Sequence, residues 1–293
     1  MDLTHKEIQK MAHWWSLFDF PLRPGKEDLR AFKSLLPEIQ TGQGMVLGAT
    51  PELVDLLLGQ KGLKVKIMDH FEASVKAMEI LGHSDWSTVE ISFSDWLTRA
   101  DNLTAGINVI LGDNAFLFLK FPNEWRKLIE NLNSYLVEGG RIVARGFFKP
   151  GVTFNFQSYF DKSLSRIQAI NQKSPSEADI RTFSKEISAL RLCTALEAAG
   201  PYGLIDRKER NQRICSVKEK LAQSFDHPSC REIIEAVLFL ETKKEGELIP
   251  TSIPDWSEVK ILFETSGFTI ASDIPLENED FPGVIRCYAA VKN

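Results

Sequence analysis

The segment GMVLGATPEL, residues 44–53, has the pattern of a buried β-strand that turns directly into an α-helix. Residues 45–47 are continuously apolar, as expected of a strand that other elements cover on both faces. Thr50 is suited to the N-cap of the helix and Pro51 to its first position. The segment therefore predicts the opening unit of an α/β protein built on a mostly parallel sheet.

Short apolar runs and amphipathic stretches alternate beyond this segment. With 44–48 they predict five strands, the others lying at about 63–68, 88–93, 107–112 and 141–146. The second and third runs alternate apolar with polar residues, which is typical of outer strands, whereas the last two contain continuously apolar segments at 109–111 and 142–144. We therefore expect the first, fourth and fifth strands to be central in a doubly wound, Rossmann-like sheet. In such a sheet the ligand crevice lies where the strand order reverses.

Sequence patterns also predict two of the helices and the last two strands. A helix from about Pro122 to Leu136 is expected to stop at Gly139-Gly140, because glycine commonly ends helices. A further helix is expected near 255–266, followed by strands near 268–274 and 284–291.

The chain is predicted to have three parts. Residues 1–43 form an N-terminal helical cap, and residues 44–149 with 254–293 form the sheet domain. Residues 150–253 form a largely helical insertion after the fifth strand, which we expect to act as a substrate lid.

Composition excludes several classes of protein. The 293 residues carry 35 Lys and Arg against 40 Asp and Glu, a net charge of −5, which argues against a general nucleic-acid-binding surface. The longest apolar stretch, 107–121, is interrupted by polar residues and too short to span a membrane. The charged start, MDLTHKEIQK, lacks the apolar core of a secretory signal. We therefore expect a cytoplasmic protein without membrane or nucleic-acid partners, and the sequence leaves its oligomeric state open.

The four cysteines are spaced too widely for a zinc ribbon or a redox pair. We expect them to be reduced thiols, and we expect no metal site.

The turn after the first strand disfavours dinucleotides. Gly48 is its single glycine, where a dinucleotide fold needs several so that the pyrophosphate can approach the backbone. Ala49, Thr50 and Pro51 occupy that space. Glu52 adds a negative charge that would repel a diphosphate. A nucleoside without phosphates remains compatible with this turn.

Asp69 is the candidate partner of such a nucleoside. It ends the second strand, 21 residues after Gly48, where a carboxylate can accept hydrogen bonds from both ribose hydroxyls. The alternative is that Asp69 only caps the following helix.

Polar residues also follow the third and fourth strands. Asp95 can accept a hydrogen bond from the exocyclic amine of the nucleoside base, with Trp96 covering the base. The alternative is that Asp95 is a helix N-cap and Trp96 a core residue. Asp113 and Asn114 lie at the expected floor of the crevice, where ordinary turn chemistry is the alternative.

Taken together, these segments resemble the class I S-adenosylmethionine-dependent methyltransferases over residues 44–149 and 254–293. The resemblance is carried by VLGATPEL (46–53), by Asp69 in KIMDHF, by Asp95 in SFSDW, by INVILGDNAF (107–116) and by WRKLIENLNSYLVEGGRIVARGFF (125–148). A last helix that ends at a Gly-Phe step before two final strands is also similar. This implies a seven-stranded sheet with an antiparallel last strand.

The resemblance implies S-adenosylmethionine as cofactor and in-line methyl transfer to an acceptor that we expect to be a small molecule. The implied cofactor contacts are Gly48, Ala49, Thr50, Asp69, His70, Asp95, Trp96, Asp113 and Asn114. His70 is a candidate general base, with simple packing near the adenosine as the alternative. Because the first motif keeps only one glycine, a non-catalytic S-adenosylmethionine-binding regulatory protein is the alternative function.

Aromatic residues cluster in two places outside the predicted sheet, and they serve either as walls of an acceptor pocket or as core. They are Trp14, Trp15, Phe18 and Phe20 in the cap, and Phe147, Phe148, Phe154, Phe156, Tyr159 and Phe160 at the start of the insertion. Core is the favoured interpretation.

Overall fold

The computed structural model describes residues 4–100, 105–150, 155–170, 174–240, 251–276 and 280–293. Seven strands form one sheet: β1 Gly42–Leu47, β2 Leu63–Asp69, β3 Glu90–Phe93, β4 Ile107–Asp113, β5 Leu136–Phe147, β6 Phe268–Pro275 and β7 Ile285–Lys292. Their order is β3-β2-β1-β4-β5-β7-β6, and β7 runs antiparallel to both of its neighbours. The predicted doubly wound sheet with an antiparallel last strand is confirmed, and so is the central position of β1, β4 and β5.

Ten α-helices are described: α1 His5–Ser16, α2 Lys26–Leu35, α3 Pro51–Leu58, α4 Glu72–Glu79, α5 Asn123–Tyr135, α6 Phe156–Gln168, α7 Glu177–Glu197, α8 Arg207–Ala222, α9 Pro228–Val237 and α10 Trp256–Thr265. Short 3-10 helices at Ala115–Phe118 and Pro201–Gly203 follow β4 and α7. Among these described helices, none is long and apolar enough to cross a membrane.

The strands alternate their side chains between two buried layers, because successive residues of a strand point to opposite faces. Val46 and Val109 belong to the layer that contains apolar residues of α2, α3, α4 and the helices α6 to α9. Met45 and Ile110 belong to the other layer, with α5 and α10. Both faces of the sheet are covered, and in sheets of this kind ligands bind at the carboxyl ends of the strands.

The end of α5 differs from the sequence-based expectation. The helix ends at Tyr135, and β5 begins at once with Leu136. Gly139 and Gly140 lie inside β5, where Gly139 has a φ of 72°. The pairing jumps from Ile107 with Leu136 to Val109 with Arg141, so the two glycines allow a bulge in the strand rather than ending the helix.

The segment between β5 and α10 is helical where it is described, with α6 to α9. Most of the predicted aromatic cluster lies in the core: Phe147, Phe148, Tyr159 and Phe160 are buried, and Trp15, Phe18, Phe20 and Phe156 pack against the core. Trp14 is 45% exposed, and Phe154 lies outside the described residues. The core interpretation holds for the described members except Trp14.

Candidate functional site

The turn after β1 has the backbone form that requires glycine. Gly48 has a φ of 77°, and its amide donates to the carbonyl of Met68 (2.9 Å) at the end of β2. A Cβ atom at this position would lie 3.7 Å from the Trp96 ring. Ala49 and Thr50 are buried directly after it. Thr50 is the N-cap of α3, as predicted, although its side chain makes no capping hydrogen bond.

The first turn of α3 carries a charge pair that the sequence analysis missed. The Arg23 guanidinium, from the segment between α1 and α2, donates to the Glu52 carboxylate, and both side chains are mostly buried. Because Arg23 offsets the charge of Glu52, this carboxylate would repel a diphosphate less than the sequence predicts. The shortage of glycine in the turn therefore disfavours a dinucleotide more strongly than the charge does.

Asp69 lies between the turns that follow β1 and β2. Its side chain is almost fully buried, and its Oδ1 accepts from the amide of Phe71 (2.8 Å). Burial raises the pKa of Asp69, while the amides of Phe71, His70 and Ala49 act in the opposite direction. The hydrogen bond from Phe71 satisfies a backbone amide at the start of α4, as the alternative of a helix cap predicts. The Ala49 amide belongs to the turn after β1, so the carboxylate also borders the crevice.

His70 is exposed at the rim. Its ring lies edge-on to Phe71, with 4.7 Å between the ring centroids.

Asp95 and Trp96 follow β3 and have different environments. Asp95 is exposed, and its Oδ1 accepts from the amide of Leu97 (2.9 Å), which is the local capping arrangement. Trp96 is partly buried, and its Nε1 donates to the carbonyl of Met68 (3.0 Å). The indole therefore lies across the end of β2 beside Gly48, where the sequence predicts the ligand crevice.

A buried ion cluster lies at the carboxyl ends of β4 and β5. The Arg145 Nε donates to Asp113 Oδ1 (2.6 Å), and its Nη1 donates to Asp28 Oδ2 (3.3 Å) on α2. These side chains are 0%, 3% and 1% exposed. Asn114, in the left-handed region with a φ of 52°, donates from Nδ2 to the same Asp113 oxygen (3.1 Å).

The pKa values in this cluster depend on burial and on the presence of more carboxylates than guanidinium groups. Burial raises the pKa of Asp113 to about 6, with Arg145 opposing the rise and Asp28 and Glu52 adding to it. Burial also raises the pKa of Asp28. Burial alone would lower the pKa of Arg145, but the two carboxylates offset this and raise it, so the guanidinium stays charged.

Four buried polar atoms around this cluster have no hydrogen-bond partner among the described residues. They are Asp28 Oδ1, Glu52 Oε2, Asn114 Oδ1 and Arg145 Nη2. Buried polar atoms are normally paired, and each unpaired one costs about 1–3 kcal/mol. A ligand that offers donors to the three oxygens and an acceptor to the guanidinium would satisfy all four.

Three residues of this site are not predicted by the sequence patterns: Arg23, Asp28 and Arg145. Only Arg145 gave a local signal, because it is a charged residue within the apolar run of the fifth strand. Arg23 and Asp28 come from the cap, and no spacing relates them to the strands they meet.

Comparison with solved structures supports the assignment of the fold. A structure described as a putative Zn-dependent alcohol dehydrogenase from Rhodobacter sphaeroides matches at a TM-score of 0.58 and 14% identity, covering 98% of each chain. The N-methyltransferase NodS from Bradyrhizobium japonicum WM9, in complex with S-adenosyl-L-homocysteine, matches at 0.51 and 10%, covering 99% of each chain. The chain has the fold of class I S-adenosylmethionine-dependent methyltransferases.

At these identities the structural matches establish the fold of a methyltransferase and not its activity. No protein-family model and no curated protein matches the sequence.

The methyltransferase fold brings the predicted site residues to one edge of the sheet, because each ends or follows a parallel strand. Gly48, Asp69 and Trp96 lie together at the ends of β1 and β2, as the hydrogen bonds to Met68 indicate. Asp113 ends β4 and Asn114 directly follows it, both in the ion cluster, and Asp95 is exposed.

The four cysteines of the chain are free thiols. Cys193, Cys230 and Cys287 are buried and Cys215 is partly buried, and none forms a disulfide. Within the part of the chain that the structure describes, no group of three or more His, Cys, Asp or Glu is arranged to hold a metal ion.

Proposed function

We propose that this protein is an S-adenosylmethionine-dependent methyltransferase that acts on a small-molecule acceptor. The observation that carries the proposal is the set of four unpaired buried polar atoms at the carboxyl end of β4. Their chemistry, three oxygen acceptors and one guanidinium donor, is complementary to an α-amino acid, which carries an ammonium and a carboxylate. S-adenosylmethionine has such an end, and its other end is a nucleoside without phosphates.

The residues present fit this cofactor along the edge of the sheet. Arg145 Nη2 would hold the carboxylate, and the three unpaired oxygens, on Asp28, Glu52 and Asn114, would accept from the ammonium. Asp69 would accept from the ribose hydroxyls, because a carboxylate has about four acceptor sites and the backbone uses only some of them. Trp96 would cover one side of the adenosine. Asp95, which caps its own turn, is left out of this assignment.

The bound cofactor supplies a methyl group on a positively charged sulfur, which a nucleophile can displace in line. The protein then needs to exclude water and to hold the nucleophile near the methyl group. For an acceptor that must lose a proton, His70 is the candidate base, since it lies exposed at the rim beside Asp69.

Isothermal titration with S-adenosylhomocysteine tests the cofactor, and the release of S-adenosylhomocysteine from S-adenosylmethionine across a panel of acceptors tests turnover. We expect binding in the micromolar range or tighter, and turnover of at least one acceptor. Tighter binding of NADH than of S-adenosylhomocysteine would overturn the proposal. Binding without turnover of any acceptor would favour the regulatory alternative.

A further inference from the structure

Three short segments, which hydrogen bonds join side by side, form a wall beside the carboxyl end of β4. The 3-10 helix Ala115–Phe118 directly follows Asn114, and the carbonyl of Leu117 accepts from the amide of Ser252 (2.9 Å). Ser252 in turn forms an antiparallel bridge with Leu204. The turn at 200–204 is thereby tied to the carboxyl end of β4.

This turn is also fixed to the end of β5. The Lys149 ammonium donates to the carbonyl of Gly200 (2.9 Å), and the Lys149 amide donates to the carbonyl of Pro254 (2.9 Å). Gly203, with a φ of 73°, packs so closely that a Cβ atom there would lie 2.0 Å from the carbonyl oxygen of Ile253. The turn is therefore a rigid part of the wall.

Three large apolar side chains on this wall are exposed. Phe118 is 45%, Tyr202 66% and Leu204 46% exposed, in contrast to the aromatic residues of the cap and insertion, most of which are core. Tyr202 also has a φ of 56°, a left-handed conformation that is costly for a bulky residue and is concentrated at functional sites. Neither burial nor backbone preference explains a tyrosine at this position.

We propose that Phe118, Tyr202 and Leu204 form a platform that binds a neutral, planar aromatic acceptor. Two of the three side chains are aromatic and none is charged, which suits an uncharged ring that packs by stacking. Phe118 ends the 3-10 helix that directly follows Asn114, so the platform begins next to the candidate cofactor site along the chain. The inference rests on the proposed function, and it narrows the acceptor to aromatic compounds that carry a hydroxyl or amine.

The test uses the full chain saturated with S-adenosylhomocysteine, and 2-naphthol as the probe. Isothermal titration should detect 2-naphthol binding to the unaltered protein. Phe118→Ala and Tyr202→Gly should each weaken it by about fivefold or more, the scale of a lost ring contact. Ile261→Ala, which removes an exposed apolar side chain on α10 (59% exposed), is the matched control and should leave it unchanged. Decahydro-2-naphthol, with the same skeleton but no planar ring, should bind more weakly.

Tyr202→Gly also distinguishes a loss of 2-naphthol binding from a loss of folding stability. Glycine relaxes the left-handed backbone, so the melting temperature should stay the same or rise while 2-naphthol binding falls. Equal 2-naphthol affinity in all variants, absence of 2-naphthol binding, or equal affinity for the saturated analogue would overturn the inference and leave the proposed function standing. If S-adenosylhomocysteine itself fails to bind, the proposed function fails, and the acceptor role of the platform fails with it.

Discussion

The carboxylate of Asp69 belongs both to the local backbone and to the candidate cleft. Its Oδ1 accepts from the Phe71 amide at the start of α4, while the side chain also borders the Ala49 turn. Removal of the whole side chain would therefore disturb both the turn and the ligand. Replacement by Asn keeps one carbonyl oxygen for the Phe71 amide and removes the charge.

We expect Asp69→Asn to weaken S-adenosylhomocysteine binding by about 1.5–3 kcal/mol, or about 10- to 100-fold, since hydrogen bonds to a charged group are lost. Isothermal titration measures this, with thermal unfolding as a check on the fold. Glu79→Gln, an exposed carboxylate on α4, is the matched control. Unchanged affinity in a folded Asp69→Asn protein would remove Asp69 from the site.

Asp113 gives a prediction for the pH dependence of stability. Burial raises its pKa to about 6 in the folded protein, against about 3.9 in the unfolded chain. Between these values the folded state binds more protons than the unfolded state, so the free energy of unfolding falls as the pH rises through this window. Relative to pH 7.5, the Asp113 contribution at pH 5 is about 1 kcal/mol more favourable.

Urea unfolding of the unaltered protein and of Asp113→Asn at pH 5 and 7.5 measures this contribution. The difference between the two pH values should be smaller in Asp113→Asn, because the variant lacks the titrating carboxyl. It should not vanish, since burial also raises the pKa values of Asp28 and Asp69. The same pH dependence in both proteins would contradict the assignment.

At the level of elements, the segment between α1 and α2 is linked to α3 by Arg23 and Glu52, whose side chains are 21% and 16% exposed. Arg23→Ala leaves the Glu52 carboxylate buried without its partner. We expect the free energy of unfolding to fall by about 1–3 kcal/mol. The double variant Arg23→Ala, Glu52→Gln should recover part of the loss, because it removes the unpaired charge.

Chemical denaturation of the four proteins of this cycle measures the coupling. Arg30→Ala is the control, because the Arg30 and Glu27 side chains of α2 form an exposed pair, 72% and 76% accessible, and exposed pairs contribute little. A loss in Arg30→Ala as large as that in Arg23→Ala would show that removal of any arginine from this region has the same effect.

For some elements, the sequence pattern alone predicts their position in the sheet. The apolar runs of β1 and β4 predict their central position, because only strands covered on both faces can be apolar throughout. The Gly139-Gly140 pair misled, because glycine ends helices and allows strand bulges for the same reason, its freedom at positive φ. The pattern alone does not distinguish these uses.

Across the whole molecule, the parts of the site that the sequence predicts are those fixed by topology. Asp69 and Asp113 end β2 and β4, Trp96 follows β3, and parallel strands end at one edge of the sheet. Arg23 and Asp28 reach the site through tertiary packing of the cap, which depends on side-chain contacts between distant segments. The sequence therefore predicts the sheet edge, but not the charges that complete the site.

The three predicted parts pack against one another, so we expect the molecule to unfold cooperatively. Apolar residues of the cap, of one sheet face and of the insertion helices form a single continuous cluster that includes Phe32, Val46, Val109, Phe183 and Leu190. Ion pairs join the same parts, such as Asp28 with Arg145. A cap or insertion that separated from the sheet would expose part of this cluster, so we expect the three parts to unfold together.

Urea unfolding followed by tryptophan fluorescence and by far-ultraviolet circular dichroism tests this. Because Trp15 lies in the cap and Trp125 on α5, fluorescence reports on separate regions, whereas circular dichroism reports on all helices. One transition with the same midpoint by both probes is expected, since coincident transitions are the mark of two-state unfolding. S-adenosylhomocysteine should move both midpoints together, because a ligand that binds only the folded state stabilises the whole cooperative unit. Two separated transitions, of which the ligand shifts only one, would mean that the cap or the insertion is an independent domain.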